Sequence, residues 1–316
     1  MSLLVVNYHY IVDESSAYTK GIYPVSLSDL EAQINEISKI FSFVSLSDVV
    51  TFFESGQYPD RPSVLITFDD GLKEQMLAYE YLNKIGVPAV FFVNSSSAEG
   101  KLQVVHKIHY LLSQISARDI YHEISKNIPG LESKDINEQV LEKYKYGGLI
   151  ENKLKWVFNF YLNIEETDRV LNELYKYFNL DAKKYAKHLY MDSNDIKKIA
   201  LFNQLGTHSH SHIPLGMYKR EEIHEDINTS INYFNQLGIK KPLAISYPYG
   251  DQRAISGDLF NVAEDLGIKV GLTMKRGINL FDSQNHPLQL KRITCNDAPG
   301  GKNVNPAFWQ DGLLVR

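Results

Sequence analysis

Two neighbouring carboxylates, Asp69 and Asp70, close the stretch Thr67-Phe68-Asp69-Asp70-Gly71, directly after the apolar run Val64-Leu65-Ile66. Far downstream, three histidines alternate with serines in His208-Ser209-His210-Ser211-His212. A carboxylate with two imidazoles suits a borderline divalent ion, each ligand about 2.1 Å away. With one acid on the ion, the other is left to take a proton from a water that the ion acidifies. That is the chemistry of metal-assisted hydrolysis. Neighbouring side chains on a strand face opposite ways, so the two acids serve one centre only if the chain turns there, and Gly71 permits a turn. The histidines allow two arrangements. His208 and His210 share a face of a strand, whereas His208 and His212 would stand about 13 Å apart on a strand and meet only if the chain curls.

The elements that must carry these residues follow from periodicity. Leu3 to Tyr8, Phe43-Val44, Ser63 to Phe68 and Val87 to Val93 read as strands. Ser28 to Ile40 (capped by Ser28), Leu46 to Phe53 and Lys73 to Ile85 read as helices. From about residue 95 to 193 the strand signal fades, and helices are expected over 104–115, 117–124, 137–144, 152–159 and 165–178. The alternation returns with a helix over 193–202, a strand end at 207–212, a helix over 221–237, a strand over 243–247, a helix over 257–266, and strands over 270–273 and 288–294. The rhythm predicts an α/β fold: a distorted or incomplete (β/α) barrel with a mainly helical insertion. The barrel is assigned to residues 1–95 and 195–316. The insertion, 96–194, is expected to act as a lid, a substrate-recognition cap or a homo-oligomer surface. Asp69-Asp70, His208 to His212, Tyr247-Pro248-Tyr249 and His9 all fall at predicted strand ends, where such folds carry their reactive groups.

Composition narrows the classes. The 316 residues are 44% hydrophobic and 22% charged with net charge −5, and no Lys/Arg-rich run points to nucleic acid. No stretch approaches the roughly 20 apolar residues of a membrane span. Cys295 is the single cysteine, so no disulfide forms within the chain. The start, Met-Ser-Leu-Leu-Val-Val-Asn-Tyr-His-Tyr, lacks a basic n-region and a long apolar core, and a cytoplasmic location is expected. Neither a Gly-x-Ser-x-Gly elbow nor a phosphate-cradling glycine loop occurs. His106 and His109 have helical spacing without a third ligand in view.

Thr67-Phe68-Asp69-Asp70-Gly71, His208-Ser209-His210-Ser211-His212 and Tyr247-Pro248-Tyr249-Gly250, in that order, resemble the first three motifs of the polysaccharide deacetylases of the NodB-homology type, carbohydrate esterase family 4. The resemblance covers the segments around 1–95 and 195–295. It implies a divalent metal, usually Zn2+, on Asp70, His208 and His212, with His210 at a variable position. It implies Asp69 as general base, and the backbone N–H of Tyr249 as a donor to the oxyanion. The family's third motif often opens with an arginine that orients the base; here Ser246 stands in that place, and Arg292 or Arg253 is expected to substitute. The usual late histidine is not evident either. Tyr8-His9 resembles the N-terminal Tyr-His of members whose late motifs are permuted to the front, so His9 is expected to be the general acid. Tyr247, Tyr249 and Arg292 are expected to contact substrate, with Tyr10 and Trp309 as further aromatic surfaces near the mouth.

The implied activity is removal of an N-acetyl group from an N-acetylated sugar, in a cytoplasmic step of surface-polysaccharide biosynthesis. The alternatives are another C–N hydrolase, such as one acting on formamides, and a carbohydrate-binding homologue without turnover.

Overall fold

The strand that carries the two acids, Ser63–Phe68, lies within the sheet and is buried along its whole length. The computed structural model describes residues 2–13, 24–126, 128, 131, 137–138, 140–141, 148–281 and 286–313. Eleven strands occur among them: β1 Ser2–Tyr8, β2 Ile11–Val12, β3 Val25–Ser26, β4 Ser42–Phe43, β5 Ser63–Phe68, β6 Ala89–Val93, β7 Leu205–Thr207, β8 Ala244–Ser246, β9 Val270–Leu272, β10 Asn279–Leu280 and β11 Ile293–Thr294. The main sheet runs β10-β1-β5-β6-β7-β8-β9, with β4 also on β5 and β11 also on β1; β2 and β3 form a separate pair. The pairs β1–β5, β5–β6, β6–β7, β7–β8 and β8–β9 are all parallel. The chain divides into two compact units, Met1–Ser15 with Pro24–Lys101 and His188–Arg316, and Ser16–Tyr23 with Leu102–Lys187.

The first unit is a parallel sheet curled into a half-barrel with helices outside. Residue parity defines its two faces. Leu4, Val6, Tyr8, Val64, Ile66 and Phe68 pack outward against the helices Leu27–Ser38 and Gln75–Lys84. Leu3, Val5, Leu65, Val90, Phe92, Ala244, Val270, Leu272 and Leu290 fill the inside. Continuing along each strand at the same parity, the inner face turns polar: Asn7, Thr67, Asp69, Ser246 and Arg292. Gly206 makes room for this lining, since a Cβ there would stand 2.3 Å from the Phe92 ring. The two sheet edges are linked by one segment. Leu290 bridges Leu272 of β9 in parallel, and Ile293 and Thr294 then pair in parallel with Val6 and Asn7 of β1.

Local details differ from expectation for simple reasons. The first helix starts at Leu27, so Ser26, not Ser28, caps it and accepts from the Asp29 N–H. The helix over 193–200 is capped by Asp192 in a reciprocal box with Asp195. The expected strand over 288–294 is split into a 3-10 turn, Pro287–Gln289, and the short β11; Pro287 opens the turn, and His286 Nδ1 caps it by accepting from the Leu288 N–H.

The second unit is helical: Val104–Gln114, Ala117–Ser125, Leu149–Trp156 running into a π turn at Val157–Tyr161, and Ile164–Tyr177. The buried Lys107 reaches Asp168 at 2.7 Å and Asn172 at 2.8 Å, tying the first of these helices to the last. The helix expected over 137–144 falls largely outside the described residues.

Candidate active site

The chain turns sharply where β5 ends. Asp70 has φ 77° and Gly71 φ 62°. A left-handed backbone costs an L-residue about 1–2 kcal/mol, least for Asp and Asn. At Gly71 an added Cβ would also stand 3.1 Å from Val93 Cγ1. The turn therefore begins one residue earlier than Gly71 alone implies, and it sends the two carboxylates to different partners.

Asp69 keeps the inner-face parity of β5. Its Oδ1 accepts from Arg292 Nη1 at 3.0 Å and its Oδ2 from Asn7 Nδ2 at 3.1 Å, and Arg292 Nη2 forms an ion pair with Oδ2 at 2.8 Å. His9 Nε2 lies 4.0 Å from Oδ2. Burial alone pushes the Asp69 carboxyl up, but the charges of Arg292, His208 and His9 outweigh it and hold the group at about 2.

Asp70 faces the histidines. Its Oδ1 lies 3.1 Å from His212 Nε2 and 3.4 Å from His208 Nε2. The curl that the distant pair requires is present, with Ser209 at φ 64° and His212 at φ 52°. The His212 N–H donates to Ser209 Oγ at 3.2 Å, and the Ser209 N–H to Thr207 Oγ1 at 3.2 Å. A buried carboxylate on the helix Arg220–Gln236 holds the outside of the loop: Asp226 accepts from the N–H groups of His210 at 2.8 Å and Ser211 at 3.0 Å. His210 is turned aside, its Nδ1 2.9 Å from Ser95 Oγ. Of the two histidine pairings open to the sequence, the structure assembles His208 with His212.

Asp70, His208 and His212 are buried and offer ligand atoms within 4.8 Å of one another. Two ligands on a tetrahedral ion, each about 2.1 Å from it, stand about 3.4 Å apart, which the spacings to Asp70 Oδ1 match. The tautomer fits as well. His208 Nδ1 lies 2.6 Å from the Ser246 carbonyl oxygen. A carbonyl only accepts, so Nδ1 carries the hydrogen and Nε2 offers its lone pair. Two nitrogens and one oxygen form a donor set suited to zinc. Without an ion, Asp69 and Asp70 raise the His208 pKa despite the opposing effect of burial.

Three sequence expectations need correction. Arg292 is 1% exposed; besides its fork on Asp69, its Nε donates to the Thr273 carbonyl at 2.9 Å and its Nη2 to Ser246 Oγ at 2.8 Å. It stands behind Asp69 and leaves no surface for substrate. Tyr247 follows the inward Ser246, so parity turns it outward onto Phe260, and its buried hydroxyl donates to the Leu288 carbonyl at 3.1 Å. Trp309 is buried against Phe41. Tyr249 does reach the site: it is 38% exposed, with its ring centroid 5.4 Å from that of His212. His106 and His109 belong to no metal-holding group among the described residues.

Asn7, Asp226 and Gln75 were not read from the sequence. Gln75 Nε2 donates to the carbonyls of His9 at 2.8 Å and Asp69 at 2.6 Å, joining the two loops. A signal existed for two of them. Asn7 is the one polar residue within an otherwise apolar-reading strand core, and Asp226 lies on the helix stripe that Ile223, Ile227 and Ser230 bury.

Residues 56–146 and 164–271 match the family model described as polysaccharide deacetylase. Among solved structures, the Streptococcus pyogenes deacetylase PplD in complex with acetate aligns over 96% of this chain and 96% of its own, at TM-score 0.55 and 16% identity. A de-N-acetylase from Aggregatibacter actinomycetemcomitans aligns over 93% and 94%, at TM-score 0.56 and 15% identity. IcaB from Ammonifex degensii aligns over 93% and 91%, at TM-score 0.53 and 15% identity. At such identities the likeness establishes a common fold. No curated protein matches the chain significantly.

Proposed function

Because the chain belongs to the polysaccharide deacetylase family, we propose that it hydrolyses the N-acetyl group of an N-acetylated sugar, with a divalent ion, zinc by its donor set, held by Asp70, His208 and His212. Such an ion supplies Lewis-acid activation of a water and of the amide carbonyl.

The chain's own groups then divide the work. Asp69 is the general base. Arg292 keeps it ionised at neutral pH and fixes its plane through one hydrogen bond and a second close ion-pair contact. Each of its oxygens accepts one hydrogen bond among the described residues, Oδ1 from Arg292 and Oδ2 from Asn7, which leaves lone-pair capacity for the proton it takes from the attacking water. His9, 45% exposed at the rim and close to Asp69, gives a proton to the departing amine. Tyr249, strained at φ 62°, presents its N–H toward the oxyanion and its ring to the sugar. We extend the proposal to a cytoplasmic precursor of a surface polysaccharide; fractionation of cells expressing the native gene tests the location.

The observation that carries this reading is the split between the two acids, one facing two imidazoles and its neighbour gripped by a buried guanidinium. The deacetylases among the solved structures of the same fold support the reaction type. Zinc-loaded Asp69→Asn should bind the ion as the wild type does and release acetate about 10²–10⁴-fold more slowly. Acetate release undiminished in that variant, or formate released in preference to acetate, overturns the proposal.

A further inference from the structure

Beyond the Tyr249 turn, the loops after β8 and β9 and the segment leading to β11 line a cavity of about 690 Å³. That volume lies within the range of small-molecule sites, about 300–1,000 Å³. Its wall begins at Gly250, one residue (about 3.8 Å between Cα atoms) from the tyrosine that edges His212. The chemistry of the lining is one-sided. Lys275 and Lys291 both contribute, and neither forms an ion pair among the described residues. Among the described residues the one acid in the wall, Asp251, is already occupied. Its carboxylate accepts from the N–H groups of Arg253 at 3.0 Å and Ala254 at 3.1 Å, and it pairs with the Arg253 guanidinium at 3.2 Å. His286 and Gln289 add hydrogen-bonding groups. A chain of net charge −5 thus keeps a locally cationic cavity next to its candidate site.

Resting on the deacetylase reading, we propose that this cavity holds the phosphate of a phosphorylated N-acetyl sugar, so that the substrate is a sugar phosphoester rather than a neutral glycan. Two ammonium groups without a guanidinium fork favour a phosphate, which they meet as point charges, over a planar carboxylate. The volume exceeds that of one phosphate and accommodates a diphosphate with part of its second substituent. Nucleoside diphosphates and lipid diphosphates share that chemistry.

Acetate release by the zinc-loaded full chain is compared for an N-acetylhexosamine 1-phosphate, a nucleoside diphosphate N-acetylhexosamine, a short-chain prenyl diphosphate N-acetylhexosamine and a neutral N-acetylhexosamine oligosaccharide. A phosphorylated substrate should have the highest kcat/KM, and the better diphosphate identifies the source. Lys275→Gln and Lys291→Gln should each lower the ratio of kcat/KM for phosphorylated over neutral substrate roughly tenfold, while Lys→Arg at the same positions keeps most of it. A neutral oligosaccharide as the best substrate, or a ratio that both glutamine variants leave within twofold, overturns the proposal. Calorimetric titration of the sugar 1-phosphate into wild type and the double glutamine variant decides the point even without turnover: equal affinities overturn it and at least tenfold weaker binding supports it. Failure of the deacetylase reading shows separately, as no acetate from any of the four compounds.

Discussion

Replacing Arg292 with methionine removes the guanidinium and leaves a side chain of similar length in its place. Two consequences follow from the geometry, with opposite pH dependence. Asp69 lies at about 2 against an ordinary 3.8, with burial pushing it up and Arg292 the largest influence pulling it down. A drop of about 1.8 in pKa corresponds to about 2 kcal/mol of native-state stability at neutral pH. Because the folded pKa is depressed, that contribution is complete above pH about 4 and is lost as pH falls through about 2. In Arg292→Met burial acts with less opposition and the Asp69 pKa rises. The variant should be about 3–5 kcal/mol less stable at pH 7, the magnitude for stranding one partner of a buried ion pair. That gap should narrow as the pH falls through about 2, where Asp69 takes up its proton in the wild type as well.

Urea unfolding of zinc-free wild type and variant at a series of pH values measures the gap, and pH–rate profiles of the zinc-loaded proteins measure the second consequence. The acid limb of kcat/KM should move to higher pH by more than one unit, and the plateau should fall because the base has lost its fixed plane. Arg292→Lys keeps the charge without the fork and should restore much of the stability with only part of the rate. The double variant Asp69→Asn with Arg292→Met should unfold less readily than Arg292→Met alone, since no charge is then left stranded. A stability gap independent of pH between 7 and 2, together with an unmoved acid limb, refutes the reasoning.

Asp226→Ala frees the outer side of the histidine loop and should weaken zinc binding roughly 10–100-fold, read by competition with a chromophoric chelator; unchanged affinity excludes a positioning role. His212→Ala should abolish stoichiometric zinc while His210→Ala keeps it, and the reverse result in elemental analysis would return the site to the alternating pair. Zinc binding should release a proton at mildly acidic pH, because Asp69 and Asp70 raise the His208 pKa in the ion-free protein. Affinity should therefore fall as the pH is lowered, and calorimetry in buffers of different ionisation enthalpy reads the proton count. His9→Ala should slow an unactivated acetamide far more than an activated acetate ester, whose leaving group needs no proton; equal losses on both would remove His9 as proton donor.

The barrel was legible because its signal is short-range. Val64 to Phe68 and Leu3 to Tyr8 are apolar runs bounded by polar turns, and each became a buried strand within one or two residues of its expected limits. The trio Asp70, His208 and His212 was legible only up to a choice, since periodicity could not say whether His210 or His212 joins His208. The answer lies in Ser209 and His212 adopting left-handed backbones, which serine and histidine do not announce in a sequence. The partners of the base were less legible still. Asn7 and Arg292 lie 62 and 223 residues from Asp69, and no local pattern links them. Parity alone could have rejected Tyr247 as a substrate contact, because Ala244 and Ser246 face inward and the residue between Ser246 and Pro248 must face out.

The arginine missing from the third motif shows how the fold and the site depend on one another. Ser246 occupies the place where the family often carries a guanidinium, yet a guanidinium is there: Arg292 Nη2 lies 2.8 Å from Ser246 Oγ. It arrives on the segment that links the last parallel strand to the first, bridging Leu272 at Leu290 and pairing with Val6 at Ile293. The contacts that link the two sheet edges therefore also deliver the counterion of Asp69. A slip of one residue in that segment would turn Arg292 to the opposite face, stranding a buried carboxylate and opening the sheet at the same time. Ser246 is accordingly no lost catalytic group. It is the small residue that leaves space for an arginine supplied from elsewhere, and Ser246→Arg in the wild-type background should destabilise the protein by crowding two guanidinium groups against one carboxylate. Combined with Arg292→Ser, the same substitution should recover stability and part of the activity; if the pair is no better than Ser246→Arg alone, the two positions do not share one place in the site.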